Sequence, residues 1–243
     1  MKIVVCIKQV PETQEVRLDP ETLNLQREGV KGIINPFDLY ALEEGLRVRE
    51  RQGGEVVVLS MGPLQAETAL REALTYGADQ AILLSDRAFA GADTWATAFT
   101  LAAAIRRLPE VALVFCGKQA IDGDTAQVGP ELAAFLDWPH ISWARKLEFV
   151  APDRLQVERL LDHGYDRLEV ELPAVITVVK EINEPRVPSF KAKLRATKAT
   201  IPIWGAAELG LAPEQVGWQG SFTRVIKVFP PPARGQRQLL QGS

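Results

Sequence analysis

The feature that most constrains the fold is an alternation, over the first 140 residues, between short apolar runs and longer segments with helical spacing. The apolar runs are "KIVVCIK" (2–8), "EVVVLSMGP" (55–63), "QAILLSD" (80–86) and "VALVFCG" (111–117). Short, nearly continuous apolar runs predict strands that are covered on both faces. The segments "NPFDLYALEEGLRVRERQGG", "LQAETALREALTYGAD" and "DTWATAFTLAAAIRRL" predict helices, the first two ending at glycine. The alternation therefore predicts a doubly wound, mainly parallel, Rossmann-like α/β sheet.

In such a sheet, ligands bind beyond the carboxyl ends of the strands, where the strand order reverses. The loops that follow the predicted strands are the candidates for that position. They are Gln9–Val10–Pro11, Ser60–Met61–Gly62–Pro63, Ser85–Asp86 and Gly117–Asp124.

The second half of the chain has a different pattern. The segments "ISWARKLEFV", "RLQVERLLD", "YDRLEVEL" and "AVITVVK" are short, alternating or rich in β-formers, and turn signals separate them. They predict added, largely antiparallel strands. A basic stretch, "RVPSFKAKLRATK", follows, and then an apolar tail with little periodicity that predicts an extended arm packed on another surface.

Composition excludes several classes of function. The net charge of −3, with 47% apolar and 24% charged residues, argues against binding to nucleic acid or to an anionic membrane. Every apolar run is too short to span a bilayer, and the first is too short for a signal peptide, so we expect a cytoplasmic protein without membrane insertion.

Cys6 and Cys116 each lie in a strand-like run and are expected to be buried thiols. His140 and His163 are isolated, so no metal site is predicted, and Gly-x-Ser-x-Gly is absent.

The stretch "GKQAIDGDTAQVGPELAAFL" (117–136) places Asp122 and Asp124 at a predicted strand-to-helix junction. The further oxygens of a calcium loop are missing, and carboxylates two residues apart in a loop seldom meet on one substrate atom. Two interpretations remain open. One is a simple capped helix start, and the other is a loop of small residues whose N–H groups approach a phosphate, with the carboxylates capping N–H groups or accepting from ribose hydroxyls.

A second polar motif, "NPFD" (35–38), opens the first predicted helix. Pro36 sets the entry, and Asp38 lies in the first turn, where we expect it only to cap the helix. Asn35 is suited either to recognising a base edge or to holding a loop.

Taken together, "GKQAIDGDTAQVGPELA", "NPFD", "LSMGP", "GADQAILLSD" and "NEPRVPSFKAK", in their order and spacing, resemble the beta subunit of electron transfer flavoproteins. The resemblance extends from Met1 to about Pro232. It implies that this chain is a doubly wound domain that binds an adenine nucleotide. It also implies that the chain pairs with an alpha subunit, whose C-terminal domain binds FAD. The cofactor contacts that it implies are Cys6, Asn35, Pro36, Phe37, Asp38, Met61, Gly117, Lys118, Gln119, Ala120, Ile121, Asp122, Gly123, Asp124, Thr125, Ala126, Gln127 and Val128.

The family contains two types of beta subunit. Housekeeping members bind a structural AMP, receive electrons from acyl-CoA dehydrogenases and typically have "AIDDDCNQTGQ", whereas NADH-using, electron-bifurcating members bind a second FAD. This chain has "AIDGDTAQVGP" and "SDRAFAGADTWATAFTLA", which resemble the bifurcating type. FAD is therefore the predicted cofactor and AMP the alternative. In the bifurcating type, Ser85, Asp93, Thr94 and Thr97 would line the diphosphate and ribityl region.

The resemblance also implies a division of the chain and a set of partners. Residues 1–185 would form the nucleotide-binding domain, 186–200 a partner-recognition segment, and 201–243 an arm on the alpha subunit. The predicted partner contacts are Phe190, Lys191, Lys193 and Arg195. Phe190 stands where the family usually has leucine, and electron partners of the acyl-CoA dehydrogenase or the ferredoxin and flavodoxin type are implied. The chain would be an electron-carrying subunit, within an NADH-oxidising complex in the bifurcating type, with no catalytic side chain of its own.

An alternative outside this family is an ATP-binding protein on a similar sheet. The loop after the first strand reads "KQVPETQ" and lacks the Ser-Gly-Gly-x-Asp-Ser pattern of ATP pyrophosphatases. Gly-x-Gly-x-x-Gly is also absent from the first β/α unit, which argues against an ordinary NAD dehydrogenase.

Overall fold

The structure is a computed structural model, and it describes residues 1–12 and 32–226. The strands in these residues are β1 (Lys2–Cys6), β2 (Gln9–Pro11), β3 (Gly32–Ile34), β4 (Glu55–Met61), β5 (Gln80–Leu84), β6 (Val111–Gly117), β7 (His140–Ala151), β8 (Arg154–Leu161), β9 (Gly164–Glu171), β10 (Ala174–Val178) and β11 (Ile203–Trp204). The α-helices are α1 (Pro36–Gln52), α2 (Glu67–Tyr76), α3 (Thr94–Arg106), α4 (Val128–Leu136), α5 (Phe190–Lys198), α6 (Ala206–Leu209) and α7 (Gly217–Gly220). Short 3₁₀ turns occupy Leu64–Ala66, Arg87–Phe89, Lys180–Ile182 and Pro213–Gln215.

Nine of these strands form one sheet in the order β11-β5-β4-β1-β6-β10-β7-β8-β9. The strands from β11 to β7 run parallel, and β8 and β9 continue the sheet as antiparallel strands. Strands β2 and β3 pair separately, antiparallel to each other. The predicted fold class, a doubly wound α/β sheet with added antiparallel strands, is confirmed.

One strand was assigned to the wrong part of the sheet. The segment "AVITVVK" was grouped with the antiparallel additions, but β10 lies between β6 and β7 and is parallel to both. All five of its residues are buried. A continuous buried run is typical of a strand that is covered on both faces, and this strand completes the parallel sheet rather than extending the antiparallel part.

Both faces of the sheet are covered, which explains the continuous apolar runs. Ile3 and Val5 point into a core beneath α1 and α2, while Val4 and Cys6 point into a second core beneath α3 and α4. The predicted glycine stop of α2 is also confirmed, because Gly77 ends that helix in a left-handed conformation with φ of 119°. Such a conformation favours glycine, which lacks Cβ.

The segment after residue 200 contributes to the same sheet and core. β11 pairs with β5, and Ala206, Leu209 and Val216 pack into the second core. The domain boundaries at 185 and 200 stay predictions, and residues 227–243, including the predicted continuation of the arm through Pro230–Pro232, lie outside the described residues. Within the described ranges, no helix is both long and apolar enough to cross a membrane.

Candidate functional site

The reversal of strand order lies between β1 and β6. The chain proceeds from β1 to β4 and β5 on one side and then returns to place β6 on the other side of β1. The chain leaves β1 towards α1 on one face of the sheet and leaves β6 towards α4 on the other, and such a reversal is where a ligand crevice is expected, with the loops after these strands as its walls. Cys6 and Cys116 are in register at its floor, as free and buried thiols, as expected. A hydrogen bond between them, together with burial, raises the pKa of Cys116 well above its usual value.

Asn35, at the start of α1, joins the two walls of the crevice. Its side chain is fully buried, and its Nδ2 donates to the carbonyl of Gln119 at 2.8 Å and to Asp38 at 3.0 Å. Its Oδ1 accepts from the N–H of Ile121 at 3.1 Å. Of the two interpretations of Asn35, the structure shows the second: the side chain holds a loop.

Asp38 has a different role from the predicted helix cap. Its carboxylate accepts from the N–H of Lys8 at 2.7 Å and from the N–H of Gly117, so it ties the ends of β1 and β6 to α1. Burial raises its pKa to about 7, and the hydrogen bonds from Asn35, Lys8 and Gly117 oppose that rise. The capping prediction is therefore wrong. Asn35 and Asp38, with the backbone groups that they bind, are called the Asn35–Asp38 clamp below.

Gly117 is required for the clamp. A Cβ at this position would overlap the Asp38 carboxylate and lie 2.7 Å from the backbone carbon of Phe37. The glycine thus allows the first turn of α1 to approach the end of β6 closely.

The remainder of the loop, 122–127, is more open. Asp122 pairs with Lys8 at 2.7 Å, and Asp124 accepts from Gln119. Asp124 and Ala126 both have φ of 55°, a left-handed conformation that is uncommon for residues other than glycine. A Cβ on Gly123 would meet no atom within 4 Å.

The helix after this loop begins without a side-chain cap. Gln127 is the N-cap residue of α4, and its side chain makes no capping hydrogen bond. Of the two interpretations of this junction, the simple capped start does not match the structure, in which Asp122 binds Lys8 and Asp124 accepts from Gln119. The positive end of the α4 dipole is therefore available to a ligand.

The start of α3 forms the neighbouring wall. Asp93 caps α3 through Ala96 and also accepts from the N–H and hydroxyl of Thr223. Although burial raises the pKa of Asp93, these hydrogen bonds lower it overall. The Thr94 hydroxyl donates to Glu131 in the first turn of α4 at 3.1 Å, so the starts of the two helices are in contact.

The structure brings most of the predicted cofactor residues to this edge. Cys6, the clamp, Gly117–Asp122 and Thr94 lie at the ends of β1 and β6 or on the helices that begin there. Met61 and Ser85 lie at the ends of the neighbouring strands β4 and β5. Thr97 lies within the first turn of α3, where its N–H donates to the Asp93 carbonyl. The edge position supports their assignment without showing a ligand contact.

Three residues at this edge were missed. Lys8 ties β1 to Asp122, Glu131 accepts from Thr94, and Thr177 packs against Gly129, where a Cβ would overlap it. Lys8 carries a detectable signal, because it is a cation directly after a predicted strand. Glu131 and Thr177 carry none, since only tertiary packing brings them to the site.

The predicted partner segment contains α5, which packs against α2 and contributes Ala196 to the first core. Ser189 caps this helix through Ala192, and Phe190 is 83% exposed. Lys191 and Lys193 are exposed, whereas the guanidinium of Arg195 donates to the Ala78 carbonyl at 2.7 Å.

The segment before α5 is held to α1. Arg186 bonds to Glu43 and Glu50 on that helix, and Asn183 donates to Glu44 and to the Tyr40 carbonyl. The partner-binding assignments stay predictions.

Comparisons with known proteins agree with this architecture. A family model described as the electron transfer flavoprotein domain matches residues 22–209. The chain is 51% identical to an electron transfer flavoprotein subunit beta of Thermoanaerobacterium thermosaccharolyticum over 100% of this chain and 93% of that protein. It is 47% identical to the caffeyl-CoA reductase-Etf complex subunit CarD of Acetobacterium woodii, over 100% of this chain and 93% of that protein. It is 46% identical to the protein FixA of Azotobacter vinelandii, over 98% and 86% of the two chains.

The family model covers well over half of the chain, and these relatives align with nearly all of it. An ATP-binding protein of another family is thereby set aside. The chain belongs to the electron transfer flavoprotein family, in which its similarity is to the beta subunit.

Proposed function

We propose that this beta subunit binds FAD in the crevice between β1 and β6, accepts electrons from NADH there, and passes them to the flavin of an alpha subunit and to partner acceptors. The observation that carries the proposal is the loop 117–127. It is tied to β1 and α1 at its beginning and open at Gly123, and it leads into an uncapped helix start. An open loop before a free helix N-terminus is a suitable site for a diphosphate.

The residues at the crevice fit a dinucleotide. The first turn of α4 offers backbone N–H groups to the diphosphate, and Thr94 and Thr97 carry hydroxyls at the adjacent start of α3. The two aspartates, which would repel a free anion, are each engaged: Asp122 with Lys8 and Asp124 with Gln119. The ion pair with Lys8 neutralises the charge of the Asp122 carboxylate.

The chemistry divides between cofactor and protein. Bound FAD supplies hydride acceptance and one-electron transfer. The chain binds and orients it: the Asn35–Asp38 clamp fixes the loop against β1, and Gly123 leaves room beside the diphosphate. No proton transfer by a side chain of this chain is required.

The name of one relative supports a role in a complex with an electron partner. One similar protein is named as a subunit of a caffeyl-CoA reductase-Etf complex. We infer that this chain likewise works with an alpha subunit and a partner of the acyl-CoA dehydrogenase type, or with a ferredoxin or flavodoxin, in the cytoplasm.

The test is to co-express the chain with its alpha subunit, purify the complex and quantify the extracted nucleotides. We expect two FAD per heterodimer, no AMP, and flavin reduction by NADH. One FAD with one AMP would overturn the second flavin and support the housekeeping alternative, while leaving the family assignment intact.

Gly123→Asp provides a second test at the site itself. We expect it to remove the beta-bound FAD, because it adds a negative charge beside the diphosphate. Gly123→Asn has nearly the same size and no charge, so it is the matched control and should retain most of the flavin. Equal flavin content in both variants would contradict the placement of the diphosphate at this loop.

A further inference from the structure

The short helix α7 packs on the loop that precedes α3. The N–H of Trp218 donates to the Ala90 carbonyl at 2.9 Å. Gly217, with φ of 54°, permits this close crossing, because a Cβ there would overlap the Ala88 carbonyl oxygen. The chain is therefore anchored where it crosses the loop, and the residues that follow lie against the start of α3. These residues, Ser221–Thr223, are called the strap below.

The strap binds Asp93, the residue that caps α3. Its Oδ2 accepts from the N–H of Thr223 at 2.9 Å and from the hydroxyl of the same residue at 3.0 Å. The Asp93 N–H donates to the Ser221 hydroxyl at 2.8 Å, and that hydroxyl donates to the Gly217 carbonyl at 2.7 Å. Oδ1 of Asp93 accepts from the N–H of Ala96. One carboxylate oxygen thus holds the helix and the other holds a segment 130 positions further along the chain.

Aromatic rings extend the contact from the strap to α4. Phe222 packs edge-to-face on Trp95 in the first turn of α3, with ring centroids 5.3 Å apart. Trp95 packs edge-to-face on Phe135 of α4, with ring centroids 4.5 Å apart. The hydroxyl of Thr94 also joins the two helices, through its bond to Glu131. The strap and the starts of both helices therefore form one packed unit.

The junction of the two helix starts contains an acceptor without a donor. Oε1 of Glu131 accepts from Thr94 at 3.1 Å, whereas its Oε2 is buried and has no hydrogen-bond partner among the described residues. Buried acceptors are nearly always hydrogen-bonded, so this oxygen favours a donor from outside the chain. The hydroxyl groups of a ribose or a ribityl chain are donors of this kind. The junction that the strap contacts is thus suited to a nucleotide.

We propose that Ser221 and Thr223 are positioning residues for the bound nucleotide, and that they act through Asp93 by fixing the start of α3 against α4. The proposal rests on the proposed function, which assigns the hydroxyls of Thr94 and Thr97 to the diphosphate side of the site. These residues follow Asp93 by one and four positions, so a displacement of Asp93 moves both hydroxyls. Groups that are held in place before binding lose less entropy on binding, and a loosened helix start therefore binds the nucleotide more weakly.

The test measures the dissociation constant of the beta-bound FAD in the co-expressed heterodimer, by dialysis against a series of free FAD concentrations. Thr223→Val removes the hydroxyl and keeps the branched shape, and we expect the dissociation constant to rise about 5-fold. Ser221→Ala leaves the Asp93 N–H without its acceptor, and we expect a rise of about 10-fold. Thr223→Ser retains the hydroxyl and should stay within about 2-fold of the parent.

The matched control is Thr197→Val, an equal change at another exposed threonine. The Thr197 hydroxyl donates within α5, to the Leu194 carbonyl at 2.8 Å. We expect this variant to bind FAD with unchanged affinity. The unfolding midpoint of every heterodimer is measured in parallel, with FAD in excess, so that a loss of affinity is compared with any loss of stability.

Three outcomes would overturn the positioning role. They are an unchanged dissociation constant in both Thr223→Val and Ser221→Ala, an equal loss in Thr223→Ser and Thr223→Val, and a loss that follows the unfolding midpoint across all the variants, Thr197→Val included. The proposed function is decided separately, by the nucleotide extracted from the parent heterodimer. AMP in place of FAD would overturn that function, and the same variants would then decide the role of the strap by their affinity for AMP.

Discussion

The Asn35–Asp38 clamp and the loop 122–127 lie at the same edge of the sheet, but they differ in how deeply their polar side chains are buried. In the Asn35–Asp38 clamp, an amide and a carboxylate are buried, and they hold three backbone segments together. In the loop 122–127, Asp122 stays partly exposed and pairs with the exposed side chain of Lys8, and Gly123 faces open space. The clamp therefore contributes to stability and to the shape of the crevice, whereas the loop is free to make contact with a ligand.

The difference shows that burial, rather than residue type, assigns the role. Asp38 and Asp122 are both carboxylates in strand-end loops, but burial raises the pKa of Asp38 to about 7. Changes in the clamp should therefore alter the stability of the fold, and changes in the loop should alter binding alone.

The largest expected effect is the pH dependence of the clamp. Because the pKa of Asp38 is about 7 in the folded chain and 3.8 as its ordinary value, the folded state retains a proton that the unfolded state releases. The stability that this proton provides is complete below about pH 4 and is lost as the pH rises to about 7, by on the order of 4 kcal/mol. Chemical unfolding of the heterodimer at fixed concentration, from pH 4 to pH 8, measures it.

Asp38→Asn is the control for this window, since asparagine does not titrate. Subtracting its unfolding free energy from that of the parent removes the contributions of other groups. The difference should fall steadily between pH 4 and pH 7. A difference that is constant with pH would show that Asp38 does not carry a raised pKa in the folded protein.

A smaller effect is expected from glycine substitution within one loop. Gly117→Ala places a methyl group against the Asp38 carboxylate and the Phe37 backbone, and it should destabilise the heterodimer by about 3 kcal/mol. Gly123→Ala, six residues further on, enters open space and should change stability by less than about 0.5 kcal/mol. Thermal and chemical unfolding of both variants check the pair. Equal losses would remove the distinction between clamp and loop.

The smallest of the three effects is expected on replacing Asn35 of the clamp, and Asn183, which lies outside the clamp, provides the comparison. Asn35→Ala leaves the Ile121 N–H and the Gln119 carbonyl without their partner, so we expect a loss of about 2 kcal/mol and reduced nucleotide retention. Asn183→Ala removes comparable bonds to Tyr40 and Glu44, further along α1, and it touches neither Gln119 nor Ile121. It should also reduce stability but leave the extracted nucleotide unchanged. If both variants lost nucleotide equally, the effect would be one of general stability.

Much of the fold could be predicted because its signals are local. Continuous apolar runs indicated β1, β4, β5 and β6, and glycine indicated the end of α2. The post-strand loops were predicted to meet at one edge, and they do so because carboxyl ends of parallel strands share an edge. The position of β10 could not be predicted, since a short buried strand looks the same whether it is inserted between β6 and β7 or added outside them.

The outline of the candidate site could be predicted from local patterns, but its detailed contacts could not, because they join residues far apart in the chain. Asp38 was expected to cap α1 because its position in the first turn is a local feature. Its bonds to Lys8 and Gly117 join residues 30 and 79 positions away, which no local pattern reveals. The pairing of β7 with β10 also shifts its register between Ile176 and Val178, and no local pattern reveals this shift because it depends on how two strands align.

The sequence by itself determined the alternation of strands and helices, the family, and the loops that form the crevice. These follow from periodicity, glycine positions and motif spacing, which depend on neighbouring residues. Only the tertiary structure decided which polar side chains are buried as a clamp, which helix start remains uncapped, and where β10 enters the parallel sheet. Burial and strand register depend on segments far apart in the chain, and folding alone brings those segments together.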